Sequence, residues 1–271
     1  VSAGAYWASR VALKTRHPEQ VNKLLTAAAG YPRTFYGLLA ARQLGLNVSF
    51  SWEMPPEQTR ALHRLEEVPA VRRAIVLAEI GLDELAGLEL RQLYIHAGDD
   101  TCALLIGLAN RLNTAAAALR MSRHWQESKG ENLDAALYPV PAWQPESGFT
   151  IDRALLYAFM RQESAFDIHA KSSAGATGLM QIMPRTASFM ADDKAADKAG
   201  HDGDKLMRPE FNLDLGQKYL NHLLQNDTVH GNLLMLAAAY NAGPGTLKRW
   251  QKEIKTDNDP LLFVESLPIQ E

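Results

Sequence analysis

The chain reads as an all-α protein: a helical superhelix and linker region followed by a second, mostly helical part. Two observations predict this. Apolar residues recur at helical spacing in stretches of 10 to 15 residues, and the breaks between them are short and carried by Gly and Pro. In the first group, helices are predicted over Ala3 to Lys14, Pro18 to Ala29 and Arg33 to Leu44, punctuated by Gly30, Pro32 and Gly45. Asn47 to Pro56 alternates briefly and holds Pro55-Pro56, which makes it a connector. A second group covers Glu57 to Leu65, Ala70 to Ile80, Leu82 to His96, Thr101 to Leu108 and Thr114 to Arg123. Small Ala and Gly residues allow close helix approach, and the rhythm suggests stacked helix pairs, although no internal repeat is visible.

Between Gln126 and Gly148 the texture changes, with Pro139, Pro141 and Pro145 marking a crossing between domains. The expected division is residues 1–56 as the end of an α-superhelical domain, 57–137 as a helical linker domain, and 138–271 as a third domain. Ala191 to Met207 is rich in Asp and Lys and reads as a surface loop without the ligand spacing of a calcium loop.

Composition narrows the function. At 271 residues the chain can bury one large core or several smaller ones. A net charge of −3 provides no electrostatic case for nucleic acid or an anionic membrane. The single cysteine, Cys102, excludes an internal disulfide and a Cys-based zinc site; its apolar neighbours predict a small core residue. No apolar run approaches the ~18 residues of a membrane span. Val1 to Ala12 already reads as helix, without a signal peptide's basic start and apolar block, so the expectation is a piece of a longer protein.

Glu163 is the most informative residue. Ile151, Ala154, Leu155, Ala158 and Phe159 define one apolar helix face, and Glu163 falls four residues after Phe159 on that same face. Desolvation and the negative end of the helix dipole both disfavour the charged carboxylate. A carboxyl kept protonated near neutral pH is what a general acid requires. A solvated side chain, or one paired with Arg161 or Arg153, is the plainer reading of the helix alone.

Two further segments carry chemistry. In Gly178-Leu-Met-Gln-Ile-Met-Pro184, Gly178 permits close backbone approach and Pro184 starts a new turn. Gln181 places an amide between methionines, a mixture suited to a sugar's apolar faces and polar substituents; an ordinary short core helix fits equally well. In Ala239-Tyr-Asn-Ala-Gly-Pro-Gly245, Leu233, Leu234, Leu236, Ala237 and Tyr240 are expected to bury one side of a helix. Gly243 permits a left-handed cap there, and Tyr240 lies at the helix end with its hydroxyl able to reach a carboxyl. A tyrosine anchoring the core is the alternative.

Glu163-Ser, Gly-Leu-Met-Gln and Ala-Tyr-Asn-Ala-Gly, in that order over about 80 residues, closely resemble the soluble multidomain lytic transglycosylases. The resemblance is strong over Ile151 to Glu271 and looser in the first half, where Tyr31-Pro-Arg-Thr-Phe-Tyr-Gly37 is its most suggestive piece. It implies a goose-type lysozyme-like catalytic domain over residues 138–271, with a cleft for peptidoglycan glycan. It implies Glu163 as the single catalytic acid/base and Ser172, Gln181, Met183, Tyr240, Asn241 and Glu271 as substrate-binding positions. Of these, Ser172 matches a serine near the cleaved bond, Tyr240 the tyrosine contacting the acid, and Glu271 a second cleft carboxylate. The Thr-Arg that normally follows is absent, and Asp167-Ile168 stands where the family commonly has Asn-Pro.

The implied reaction cleaves the β-1,4 bond between N-acetylmuramic acid and N-acetylglucosamine and forms 1,6-anhydromuramic acid ends, with no cofactor and no metal. The implied partner is the peptidoglycan glycan strand, without nucleic acid or a membrane span, in a bacterial periplasm. A goose-type hydrolase using water would share the fold and the acid, and a non-catalytic wall-binding module is the reading from another class.

Overall fold

Short-range chemistry sets most helix ends in the computed structural model, which describes residues 1–53, 61, 63–190 and 205–269. Proline opens six of the described helices, at Pro18, Pro69, Pro184, Pro209, Pro244 and Pro260, where its missing N–H costs nothing. Side-chain oxygens of Thr34, Asp152 and Asn232 cap three others, and Asp259 caps the helix that opens at Pro260, by accepting backbone N–H groups. Each such cap stabilises its helix by about 1 kcal/mol.

Two compact units result, residues 1–53 and residues 54–271. The first holds α1 (Ser2–Lys14), α2 (Pro18–Ala29) and α3 (Phe35–Gln43), within two residues of the predicted spans. Tyr6 and Tyr36 pack at 5.0 Å between ring centres in its core, and Gln43 Nε2 donates to the Tyr6 hydroxyl at 3.1 Å.

The second unit begins with α4 (Pro69–Glu79), α5 (Asp83–His96), α6 (Asp99–Arg111), α7 (Ala115–Lys129) and the single turn α8 (Asp134–Leu137). The helix expected over Glu57 to Leu65 falls largely outside the described residues, as does the loop expected from Ala191; Lys205–Met207 forms a 3₁₀ turn. Then follow α9 (Arg153–Glu163), α10 (Pro184–Met190), α11 (Pro209–Leu224), α12 (Leu233–Ala242), α13 (Pro244–Glu253) and α14 (Pro260–Glu265). The all-α prediction holds: β-pairing among the described residues is confined to two isolated bridges, Lys171–Thr177 and Thr177–Ile182.

Apolar side chains of this unit gather in two clusters. One joins α4 to α8 around Val71, Leu90, Leu105, Leu108 and Met121, and includes Cys102, buried as expected. The other joins α9 to α14 around Leu156, Met160, Leu179, Met180, Leu220 and Leu236. Helix α7 serves both: Leu119 enters the second cluster while Ala117, Ala118 and Met121 enter the first. The alanines permit that double contact because two faces of one helix must pack closely.

Helix α11 carries three fully or nearly fully buried polar side chains on an otherwise leucine-rich element, and they hold the chain segments that flank the site. Asp214 accepts from the Ser147 backbone N–H at 3.2 Å and from the Ser147 hydroxyl. Gln217 Nε2 donates to Gly148 O at 2.7 Å, and its Oε1 accepts from Thr150 N at 3.0 Å. These bonds fix residues 147–150, and with them the start of α9. Asn212 does the same for the loop before α10, as described below.

Asp214 supplies a test. Burial alone would raise its affinity for protons, but hydrogen bonds from Ser147 and Lys218 outweigh that and hold the carboxyl below its ordinary range. A depressed folded value stabilises the protein above the unfolded pKa of about 4 and loses that contribution as pH falls through the folded value. Asp214→Asn is therefore expected to cost about 1–3 kcal/mol at pH 7 and to lose less stability than the parent on acidification. Urea unfolding at pH 7 and pH 3 measures both differences.

Candidate active site

Helix α9 presents two unlike faces. Leu156, Tyr157 and Met160 point into the core, with Leu156 and Met160 fully buried. Ile151, Leu155 and Phe159 are only partly buried, and Ala154 and Ala158 are exposed. The apolar face read from periodicity is thus not the core face. It is rotated to one side, where Ala158, Phe159, Gln162 and Glu163 line an open cavity of about 430 Å³.

The opposite wall comes from α12 and the chain end. Leu234, Ala237 and Asn241 line it from α12, and Leu267 and Ile269 from the segment after α14. Here too the expected buried face is corrected: Met235, Leu236, Ala238 and Ala239 pack inward, Leu233 is exposed, and Leu234 and Ala237 face the cavity. Both helices are apolar on two sides because one side packs in the core and the other lines the groove. Among the described lining residues Glu163 is the one carboxyl group.

Glu163 is the last residue of α9 and is partly buried. The chain then turns through two consecutive left-handed residues, Ala165 (φ 51°) and Phe166 (φ 67°). Left-handed backbone costs a non-glycine residue about 1–2 kcal/mol, and burial of Phe166 to 2% exposure offsets it. Ser164 braces the turn: its hydroxyl donates to Met160 O at 3.1 Å and accepts from Phe166 N at 3.1 Å. The arginines that offered a plainer partner are engaged elsewhere. Arg161 Nε donates to Leu137 O at 2.9 Å and stacks over Tyr138, while Arg153 lies over Phe149. Asp167, four residues on, pairs with Arg120 at 2.9 Å.

Tyr240 stands beside the acid, and Glu163's charge acts on its phenol. Burial first, then the nearby Glu163 and Tyr219, push the phenol well above its ordinary range, so it stays neutral. Its ring packs between Phe159 at 4.7 Å and Tyr219 at 5.4 Å. The hydroxyl is not free, as the sequence reading had it: it donates to Met180 O at 2.7 Å. Only its oxygen lone pairs remain for a neighbouring group. The turn after α12 also differs in detail, since Gly243 (φ 84°, ψ 149°) adopts a mirror-extended conformation and not the left-handed helical cap.

Met180 belongs to a loop anchored both by its buried apolar side chains, Leu179, Met180 and Ile182, and by polar bonds. Asn212, fully buried, accepts from Met180 N at 2.7 Å and donates to Thr177 O at 3.0 Å and Leu206 O at 2.8 Å. Gly178 (φ 80°) sits where a Cβ would collide with Leu206 O and the Asn212 amide, which is why glycine is required. Gln181 adopts φ 45°, and its Nε2 donates to Ala170 O at 3.0 Å and Gly178 O at 2.9 Å. The short core helix that the motif also allowed is thus a braced turn, and the Gln181 amide nitrogen is committed to it, leaving the side-chain carbonyl.

Of the predicted site residues, the structure brings Glu163 and Asn241 to the cavity and Tyr240 beside Glu163. Ser172, Gln181 and Met183 lie on the 170–183 loop and not on the cavity wall. Ser172 Oγ accepts from Ala176 N at 3.0 Å, and Met183 is 38% exposed. Glu271 lies outside the described residues. Asn212, Phe159 and Tyr219 were missed as site-forming residues. The signal for Asn212 was present in the chain: a polar residue on the apolar face of Leu213, Leu215 and Leu220.

No helix among the described residues is long and apolar enough to cross a membrane. Comparison with known proteins places this geometry. Residues 142–263 match the family described as the transglycosylase SLT domain. A soluble lytic murein transglycosylase of Salmonella typhimurium is 29% identical over 98% of this chain, which spans 40% of that relative's length. The solved 70 kDa soluble lytic transglycosylase of Escherichia coli matches with a TM-score of 0.77 at 26% identity, covering 99% of this chain and 43% of that one. The structure of an inactive glutamate-to-glutamine mutant of a Pseudomonas aeruginosa lytic transglycosylase matches with a TM-score of 0.74 at 26% identity, over 99% of this chain and 43% of that one. Residues 142–263 form a transglycosylase SLT domain, in a chain whose all-α fold matches that of the soluble lytic murein transglycosylases it resembles.

Proposed function

We propose that the chain cleaves the β-1,4 bond between N-acetylmuramic acid and N-acetylglucosamine in peptidoglycan, as a lytic transglycosylase acting in the bacterial periplasm. Residues 138–271 form its catalytic part in this reading, and 57–137 its linker. The observation that carries it is Glu163 at the end of α9, opening on an apolar cavity in which it is the one carboxyl among the described lining residues.

Most glycoside cleavage divides the work between two carboxyl groups. With one, the acid must act twice. Protonated Glu163 gives its proton to the bridging oxygen as the bond to the muramic anomeric carbon breaks. The substrate's acetamido group stabilises the positive centre. The muramic 6-hydroxyl oxygen then bonds to that carbon, and its proton returns to Glu163. One C–O bond breaks, one forms, and no water is consumed. A 6-hydroxyl held in place outcompetes water because well-oriented groups act at very high effective molarity.

The neighbouring tyrosine suits this cycle. Because Tyr240 donates its proton to Met180 O, its oxygen is left as an acceptor for the acid. Such a bond favours a neutral carboxyl over a charged one. Phe159, Leu234 and the cavity's other apolar side chains would meet sugar faces, with Asn241 supplying a polar contact. The inactive glutamate-to-glutamine mutant among the structural relatives agrees with a single essential acid in that protein.

Product chemistry tests the reading. Digestion of purified sacculi is expected to release muropeptides with 1,6-anhydro ends, one water (about 18 Da) lighter than hydrolysis products by mass spectrometry. Reducing ends would instead identify a hydrolase, and binding without cleavage a non-catalytic module.

A further inference from the structure

A groove of about 590 Å³ runs between α5 and α7, closed at one end by the start of α6. The two helices lie side by side in the same direction: Gly87 faces Ala117, and the Tyr94 hydroxyl meets His124 Nδ1 at 3.0 Å. The groove's size falls in the range of small-ligand pockets. Its floor is apolar, made by the buried side chains of Met121, Trp125 and Cys102, and its rim carries Leu88 and Ile95, which are 43% and 68% exposed. Large apolar side chains left in water at the lip of an apolar trough mark a surface that a hydrocarbon would cover.

Most polar groups in the groove are already matched. Trp125 Nε1 donates to Glu131 Oε2 at 3.3 Å, which leaves the ring as the lining surface. The Cys102 thiol donates to Tyr94 O and Ala97 O, and burial pushes it up, so it stays neutral. Tyr94 and His124 hold each other, and Ser128 Oγ donates to His124 O at 2.8 Å. Asp99, the one carboxylate among the described lining residues, is paired with Lys129.

Arg91 is the exception. It is half-buried, and its side chain makes no hydrogen bond or ion pair among the described residues. Burial first, and then Arg120, push its guanidinium down. The acids that act on it are engaged elsewhere, Asp167 by Arg120 at 2.9 Å and Glu84 by His169 at 3.0 Å. A fork of N–H donors thus stands at one end of the trough without an acceptor. From there the apolar floor continues along α7 from Met121 to the level of Lys129, about 12 Å by helical rise.

One anionic group and one elongated apolar body satisfy this layout. An ammonium finds no open acceptor, which disfavours zwitterions, and a polyanion finds unmatched donors at one end only. We infer that the groove binds a single-chain amphiphile of the fatty-acid class, with its carboxylate on Arg91 and its hydrocarbon chain laid over Met121, Trp125 and Cys102 toward Ile95. Such a site lies outside the cavity at Glu163 and does not depend on the reaction proposed there.

The probe is decanoate, kept below its micelle-forming concentration and titrated into the full chain by calorimetry and tryptophan fluorescence. Saturable binding by the parent is expected. Arg91→Gln should weaken it about 10-fold, the value of one charge-assisted contact, and Arg91→Lys should restore part of the loss. Ile95→Ser should weaken it about fivefold through lost apolar cover. Decanol, with the same chain and no charge, should bind the parent about 10-fold more weakly than decanoate and should not distinguish the parent from Arg91→Gln. Arg91 also borders a smaller cavity beside the turn after Glu163, which Trp143 lines. The fluorescence change should therefore vanish in Trp125→Phe and persist in Trp143→Phe. The proposal is overturned by a parent that shows no saturable binding, by decanoate binding that ignores both Arg91→Gln and Ile95→Ser, or by a signal that follows Trp143. Binding to phosphatidylglycerol vesicles without uptake of free decanoate would also overturn it, and would make this face a membrane contact instead.

Discussion

Glu163→Gln is expected to reduce release of anhydro-muropeptides by about 10³- to 10⁴-fold or more while the protein stays folded. Removing a general acid typically costs 10²–10⁴ in rate. Here the same group returns as base in the second half of the cycle, and no second carboxyl among the described cavity residues can replace it. The amide has nearly the same shape and no transferable proton, so the loss falls on turnover and not on sugar binding. A 10⁴-fold loss is about 5.4 kcal/mol of transition-state stabilisation. Folding should change little, within about 1 kcal/mol, because Glu163 is partly exposed at a helix end. Single-turnover digestion of sacculi, with a pull-down on the same sacculi, separates the two quantities. Retained turnover of more than a tenth would place the acid elsewhere.

Tyr240→Phe offers a smaller companion effect with the same readout. It removes a donor from Met180 O and an acceptor from beside the acid at once, so the loss should appear in turnover rather than in binding.

Helix type and position were legible in the chain, and the predicted spans of α1, α2, α4 and α5 agree with the structure to within a residue. What failed was the direction of faces. A periodic apolar stripe reports that a side chain avoids water, not whether it meets a core or a ligand groove. Ala158, Phe159, Leu234 and Ala237 fit the same helical period as Leu156, Met160 and Leu236, yet the former line the groove and the latter are fully buried. The candidate acid was legible because a carboxyl at the end of such a stripe conflicts with it. Partners distant in sequence were not legible. The tyrosine's proton goes to a carbonyl 60 residues away, and Gln181's amide is consumed by a turn whose left-handed residues no spacing rule predicts. The family resemblance named Gln181 and Met183 as cleft positions, and they stand on the loop before α10, outside the residues that line the cavity at Glu163.

Asn212→Ala is the substitution with the largest expected cost in stability, about 3–5 kcal/mol. The side chain is fully buried and satisfies three backbone groups from three places: Met180 N–H, Thr177 C=O and Leu206 C=O. Alanine leaves all three without that partner, at about 1–3 kcal/mol for each group left dry, less whatever water entering the small space recovers. Aspartate should not rescue. It keeps the acceptor for Met180 N–H but loses the donor to two carbonyls and places a charge where none is compensated. The effect should also reach catalysis, because Met180 is the residue whose carbonyl holds the Tyr240 hydroxyl. At temperatures where Asn212→Ala remains folded, turnover should fall further than in a core truncation of equal cost, such as Leu105→Ala in the other apolar cluster. Urea unfolding gives the first comparison and sacculus digestion the second. Equal activity in two equally destabilised variants would show that the loop's geometry does not set the acid's surroundings.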